Sequence, residues 1–477
     1  MPSSFTSKCL LVQSLLLLLA FSTNAASSYW TVKSLPGFSG ELPFTLETGY
    51  VSVGDIEYFY YFVESESDQP GLDPLILYIN GGPGCSGLNG LVYQAGPLEF
   101  NLNYSGHGIP ELLYVPYSWT KTSNIIFLDA PVGAGFSYAT NASSYTSSDT
   151  IASAHILSFL RSASPQFLWL EDHLDFKDNP FFLSSDSYAG IYVPMIAQAI
   201  INNNEAGELK PRINLKGYMI SCPHTDKTLE SNSQIVFAHR MALISDAMYM
   251  NAKRSCNGSY VDIAPSNAKC FEALEAITLS IQDINTHHIL SPNCAFISPE
   301  STGEEGRRSL SENSRNDFLS SFKAPDLSCH LFNYLLSDLW TNYEPVQEAL
   351  HVRPGTVKQW WRCNNSLSYT YNVKNVVPYH KNLTETGLQV LALSGDHDMV
   401  VSHIASEDWI ASLDLTVDYD WRPWFLDGQV AGYNIRYTND GYRFTYATIK
   451  GAGHSPAEWK RKEVYGMFNR WIHYKAI

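Results

Sequence analysis

Short apolar runs, each closed by small or turn-forming residues, alternate along this chain with stretches of helical spacing. Leu75 to Ile79 runs into Asn80-Gly81-Gly82-Pro83-Gly84, Ile125 to Leu128 into Asp129-Ala130-Pro131, and Phe181 to Leu183 into Ser184-Ser185-Asp186-Ser187. Leu215 to Ile220, Leu388 to Leu393 and Phe444 to Ile449 read the same way. Apolar runs without polar alternation predict strands buried on both faces. Ile151 to Leu160 has helical spacing, as does the stretch from Tyr188-Ala189-Gly190 through Met195-Ile196-Ala197, and Pro456 to Tyr474 predicts a terminal helix. Strands interleaved with helices imply a largely parallel sheet covered on both faces. Ahead of them, Val51 to Val63 is rich in Tyr, Phe and Val and is broken at Gly54-Asp55, which predicts a β-hairpin.

From about Thr225 to Cys329 the texture changes. Helical runs such as Ser233 to Leu243 and Phe271 to Ile277 have no strand-like partners, which predicts a mainly helical cap inserted into the sheet domain. Residues 298–321 are Ser, Glu, Arg, Asn and Gly with almost nothing apolar; such a stretch cannot bury enough surface to order itself and is expected to be a mobile, protease-sensitive linker. Core texture resumes near Leu331. The expected organisation is a first core part over 26–224, a cap over 225–330 and a second core part over 331–477.

Residues 1–25 precede this domain. Lys8, an apolar run from Leu10 to Phe21 too short to span a bilayer, and small residues at Thr23-Asn24-Ala25-Ala26 predict a cleaved secretory signal. No later stretch predicts a membrane anchor. Cys9 lies in the signal; Cys85, Cys222, Cys256, Cys270, Cys294, Cys329 and Cys363 remain, an odd number that leaves one thiol over. No C-x-x-C spacing points to zinc, and no metal or cofactor is expected. Sequons at Asn103, Asn141, Asn257, Asn364 and Asn382 agree with a secretory route. A formal net charge of −16 at pH 7 argues against nucleic acid as a partner.

Chemistry concentrates in three places. Ser187 sits where an apolar strand meets a helix, the context in which an α/β-hydrolase fold pushes out a nucleophilic hydroxyl. Ser185 and Ala189 flank it with small side chains where that pattern has glycine. A serine nucleophile needs a base and a carboxylate to orient it, and in this fold the chain order is serine, acid, histidine. Asp398 follows the Leu388 strand and His454 the Phe444 strand; Asp396 is the competing acid, better placed for a structural hydrogen bond. His287, His288, His397 and His403 read as surface or cap residues. The loop after the Leu75 strand suits an oxyanion hole, with the backbone N–H groups of Gly82 and Tyr188 as donors. A phosphate loop is the rival reading of these glycines, but no Gly-Lys-Ser/Thr follows.

NGGPGCSG (Asn80 to Gly87), DSYAGIYVP (Asp186 to Pro194), SGDHDMVV (Ser394 to Val401) and KGAGHSPAEW (Lys450 to Trp459) resemble the serine carboxypeptidase family, and Ser34 to Gly54, Phe237 to Asp246 and Trp421 to Tyr433 resemble its plant acyltransferase branch. The resemblance spans the mature chain. It implies transfer of an acyl group from a 1-O-glucose ester to a small acceptor in the vacuole, with an extracellular location as the alternative. It implies disulfides Cys85–Cys363, Cys256–Cys270 and Cys294–Cys329, with Cys222 free, and association with a paralogous chain is a further expectation. Peptidase members bind a terminal carboxylate with residues matching Tyr78, Asn80, Gln94 and Asp186, beside Gly81; of the four, only Asn80 is unchanged. An acid-active carboxypeptidase and a catalytically silent companion are the competing readings, the latter because Ser185 and Ser221-Cys222 depart from the family pattern.

Overall fold

A computed structural model describes residues 29–160, 169–207, 212–293 and 329–477. The signal, the 298–321 linker and Cys294 lie outside them. In chain order the strands are β1 (Tyr29–Val32), β2 (Leu46–Val53), β3 (Ile56–Val63), β4 (Leu75–Ile79), the short pair β5 (Leu98–Phe100) and β6 (Leu112–Tyr114), β7 (Asn124–Leu128), β8 (Tyr138–Ala139), β9 (Ser147–Ser148), β10 (Phe181–Asp186), β11 (Leu215–Ser221), β12 (Tyr369–Thr370), β13 (Gln389–Gly395), β14 (Thr416–Leu426), β15 (Gln429–Asn439) and β16 (Tyr442–Ile449). The main sheet runs β1-β2-β3-β7-β4-β10-β11-β13-β16-β15-β14, with β8 paired to β3 off this path. Its centre, β7-β4-β10-β11-β13-β16, is parallel throughout. Both flanks are antiparallel, so the sheet is mixed rather than simply parallel.

Each face of the sheet has its own core. One packs Phe127, Phe182, Met219 and Leu391 with Trp119, Phe468 and Trp471; the other packs Leu77, Leu183, Ile220 and Val390 with Ile156, Tyr192, Ile196 and Trp409. At about 25 cal/mol per Å² of apolar surface, this two-sided burial is the main force holding the central strands together. It also lengthens β10 beyond the apolar run. Ser184, Ser185 and Asp186 were expected in the turn, but β4 and β11 pair with the two serines on both sides, β11 alone pairs with Asp186, and the strand continues to Asp186. Ladder hydrogen bonds here override the turn preference of Ser and Asp.

Two further expectations are corrected. The terminal helix is two pieces, Pro456–Trp459 and Arg461–Ile472, broken at Lys460, whose non-helical backbone (φ −137°, ψ 55°) cannot continue a helix. The hairpin β14–β15, turning at Asp427 and Gly428 with positive φ at both, was not anticipated. In the inserted region, helices Lys227–Arg240, Asp246–Ser255 and Ala268–Ile281 form a small core around Phe237, Ala252 and Ile277, which reaches Met399 and Ile404 beyond β13. Disulfides Cys85–Cys363 and Cys256–Cys270 are formed, and Cys222 is free and buried. Cys329 is disulfide-bonded as well. Asn103, Asn141, Asn257 and Asn382 are exposed; Asn364 is half-buried and donates to the Gly133 carbonyl at 3.0 Å. Among the described residues no helix is long and apolar enough to cross a membrane.

Candidate active site

β10 ends at Asp186, and the next residue, Ser187, has φ +58°, a left-handed conformation that a residue with a Cβ rarely adopts. A 3₁₀ turn, Ser187–Gly190, leads directly into helix Tyr192–Ala206. Strand, strained residue and helix together lift the serine hydroxyl out of the sheet. The neighbouring chain presses hard on this turn. A Cβ on Gly81 would lie 2.5 Å from the Tyr188 nitrogen and 2.9 Å from the Ser187 Cβ, so only glycine lets the β4 loop approach.

Two loops from the far side of the sheet complete the arrangement. Asp398 lies just beyond β13, fully buried, and its Oδ1 accepts from the Val400 and Val401 N–H groups at 2.7 and 3.1 Å. Its other oxygen is thereby turned to His454 Nδ1, at 2.8 Å, and His454 Nε2 stands 2.7 Å from Ser187 Oγ. In the neutral imidazole the proton sits on Nδ1, because the carboxylate can only accept there; the Nε2 lone pair then faces the serine hydroxyl. Asp396 does not enter this chain of contacts. It accepts from Gly451 N–H at 2.7 Å and from His397 at 2.6 Å, bracing the loop before His454.

The charges around the imidazole are strongly coupled. Burial pushes the His454 pKa down, but the Asp398 charge and hydrogen bond, then Asp186 and Glu458, outweigh it and raise it to about 9. Burial raises Asp186 to about 6, against the opposing pull of His454 and Ser455. Cys222, next to this group at φ +42°, is pushed well above the ordinary thiol value by burial and then by the Asp398 and Asp186 charges. Ligand atoms of Cys222, Asp398 and His454 lie within 4.8 Å of one another, the sole such cluster among the described residues. Its thiol is protonated and both imidazole nitrogens are engaged, so the arrangement suits proton transfer rather than metal ligation.

On the β4 side, the Gly82 N–H has no backbone acceptor among the described residues, and Tyr188 is the second residue of a helical turn whose first N–H groups have no internal partner. The Cys85–Cys363 disulfide fastens this loop to the second half of the chain. Beyond it lies a closed polar cluster. Gln94 Oε1 accepts from Tyr78 Oη at 2.8 Å and Asn80 Nδ2 at 2.9 Å, while its Nε2 donates to Glu458 at 2.8 Å and reaches Asp186 at 3.3 Å. Asn80 Oδ1 accepts from Gly90 N–H, and Asp186 accepts from Ser455 Oγ. The structure thus gathers Tyr78, Asn80, Gln94 and Asp186 in one place.

Several members of the site were not anticipated. Glu458 is buried and bonded to Tyr334 at 2.5 Å and His330 at 3.1 Å. Burial pushes its pKa up, but these partners and the Arg362 charge prevail and lower it. His287, expected to be a surface or cap residue, does come from the inserted region, yet its carbonyl accepts the His454 N–H at 2.6 Å and its ring lies 5.4 Å from the His454 ring. His287 is solvent-exposed as a residue, yet desolvation by the surrounding protein and then the His454 charge lower its pKa to about 4. His288 stacks on His397 and meets Trp459 at a tilt of 53°. A Cβ on Gly453 would lie 2.2 Å from the His287 carbonyl, so the glycine before His454 is what admits this contact. The bare sequence signal for these residues was thin: Glu458 and Ser455 stand beside His454, but nothing in a loop histidine pair marks His287.

A profile of the serine carboxypeptidase family matches residues 36–474. The chain belongs to the serine carboxypeptidase family. Among its relatives, Arabidopsis thaliana serine carboxypeptidase-like 7 is 40% identical over 99% of both chains, and serine carboxypeptidase-like 19 is 42% identical over 96% of this chain and 97% of that one. Kex1(delta)p, a prohormone-processing carboxypeptidase from Saccharomyces cerevisiae, superimposes with a TM-score of 0.68, covering 90% of this chain and 91% of its own at 19% identity. That likeness shows the shared α/β-hydrolase fold. Family membership makes this a hydrolase-type enzyme that acts by acyl transfer or hydrolysis.

Proposed function

We propose that the protein is an acyltransferase that moves a phenolic or related acyl group from a 1-O-glucose ester to a small-molecule acceptor. Ser187 Oγ attacks the ester carbonyl while His454 Nε2 takes its proton, and Asp398 steadies the imidazolium. The Gly82 and Tyr188 N–H groups stabilise the oxyanion. His454 returns the proton to the departing glucose oxygen, leaving an ester on Ser187. An acceptor hydroxyl or amine, deprotonated by His454, attacks that ester, and Ser187 is regenerated.

The observation that carries this reading over peptide trimming is the closure of the Gln94 cluster. A peptide's terminal carboxylate needs free donors or a pair of carboxyls sharing a proton. Here Gln94 engages the Tyr78 hydroxyl and the Asn80 amide, and Asp186 and Glu458 are both acceptors facing the same spot. Glu458, held below the ordinary carboxyl value, puts a negative charge there that repels an incoming carboxylate but not a neutral sugar ester. The disulfides, the exposed sequon asparagines and the family support synthesis through the secretory route, with the vacuole as the proposed destination.

The test is product analysis with an acyl-glucose donor and a panel of alcohols and amines. Transfer product with at least one acceptor supports the proposal; free acid as the only product across the panel counts against it. Asn80 favours a second reading, an acid-active carboxypeptidase, and release of a terminal residue from a blocked dipeptide near pH 5 would favour it instead.

A further inference from the structure

A group of cations, most of them without an ion-pair partner among the described residues, lies far from Ser187. On one face of the sheet, Arg422 of β14 pairs in register with Asn434 of β15, Arg436 of β15 with Thr445 of β16, and Arg443 of β16 with Gln389 of β13. Residues paired across strands, or two apart along one, point to the same side. These side chains therefore line one small cavity of about 30 Å³ that opens to solvent, whose other wall is Trp471, Tyr474, Lys475 and Ile477. Arg436 is bonded to Asp418 at 2.6 Å; Arg422, Arg443 and Lys475 have no ion-pair partner among the described residues. This is a cationic pocket in a chain of net charge −16.

Burial makes the pocket more than a basic patch. Three of its lining residues carry buried polar atoms with no protein partner: Asn434 Nδ2, Trp471 Nε1 and Gln389 Oε1. Such orphans each cost on the order of 1–3 kcal/mol unless something else satisfies them. The Gln389 orientation is fixed, because its Nε2 donates to the Trp471 carbonyl at 2.7 Å, and a carbonyl can only accept. Its Oε1 is left needing a donor, while Asn434, Trp471 and the guanidinium groups supply donors.

We propose that this pocket binds a small oxyanion that carries a proton of its own, of the dihydrogen phosphate or phosphate monoester class. The anionic oxygens would take the arginine, amide and indole donors, and the P–OH would donate to Gln389 Oε1. Gln389 opens β13 and Arg443 lies near the start of β16, whereas Asp398 and His454 follow the ends of those strands. At about 3.3 Å per residue the pocket lies roughly 20 Å from Ser187, separate from the active site.

The test uses the full-length processed protein at about pH 5, where phosphate keeps its protons. Titration calorimetry and thermal unfolding would be run with phosphate and with sulfate, at an ionic strength matched with sodium chloride. Saturable phosphate binding is expected, at least tenfold tighter than sulfate, which lacks the donor. The exposed substitution Arg443→Gln should weaken it about tenfold, and Gln389→Glu should abolish it by repulsion, while Lys253→Gln in the inserted helices changes nothing. Phosphate and chloride giving the same unfolding curve, meaning the cavity holds only water, would overturn the proposal. So would binding that Arg443→Gln leaves intact.

Discussion

His454 and Gln94 both act on Asp186, one through charge and the other through a hydrogen bond, and they use their hydrogen-bonding capacity differently. His454 presents one nitrogen to Asp398 and the other to a single hydroxyl, that of Ser187, so a proton has one path to follow. Gln94 divides its amide among Tyr78, Asn80, Glu458 and Asp186, so its groups hold one another and leave little for a ligand. The contrast separates two kinds of polar construction in one enzyme: an open chain that ends on a reactive atom, and a closed ring that sets the shape and charge of the space beside it. The first is common to any acyl-enzyme chemistry; the second decides which acyl compounds can reach it.

Breaking the open chain should have the largest effect. Ser187→Ala is expected to abolish labelling by a fluorophosphonate probe and to lower kcat by on the order of 10⁴-fold or more; labelling that persists in this variant would refute the assignment. Asp398→Asn should lower kcat by roughly 10³–10⁴-fold through the wrong imidazole tautomer, with KM nearly unchanged. Asp396→Asn, which loses only a loop brace, should stay within about tenfold of wild type, and equal losses in the two variants would mean that the wrong acid has been chosen.

Opening the closed ring is the next step. Gln94→Glu would place a carboxyl between Asp186 and Glu458, and a shared proton could then hold a terminal carboxylate in acid. Cleavage of a blocked dipeptide should rise about tenfold at pH 5 but not at pH 7, and melting should fall at pH 7, where the extra buried charge is uncompensated. No gain at pH 5 would separate the ring from substrate choice.

The smallest effect is a shift along the pH axis. Only neutral His454 can take the serine proton, and its pKa is raised to about 9 with Asp186 among the causes, so kcat/KM should climb as pH rises toward that value. Removing the Asp186 charge lowers the imidazole pKa, and the climb in Asp186→Asn should move to lower pH by roughly 0.5–1 unit. A shift in the opposite direction would contradict the electrostatic coupling described above.

The open chain was readable in the sequence because each member follows an apolar strand and the chain order is fixed by the sheet. Ser187, Asp398 and His454 needed only that context. The closed ring was half readable: Tyr78, Asn80, Gln94 and Asp186 came through resemblance, while Glu458 and Ser455 depend on the break at Lys460 that splits the last helix. His287 could not be read, since its approach depends on how the inserted helices pack. The β14–β15 hairpin escaped for a simpler reason. Val417, Tyr419 and Trp421 alternate with Asp418, Asp420 and Arg422, a strand signal that was passed over, and both faces of that stretch are exposed, so no buried core marks it. Strand β10 was cut short because Ser184, Ser185 and Asp186 look like a turn until the neighbouring strands are known.

The most direct test is to trap the intermediate. Rapid acid quenching of the protein with a 1-O-acyl-glucose, followed by peptide mass spectrometry, should find the acyl group on Ser187, and adding an acceptor should discharge it faster than water alone. A turning-over enzyme that carries no adduct on Ser187, or carries it elsewhere, would contradict the account.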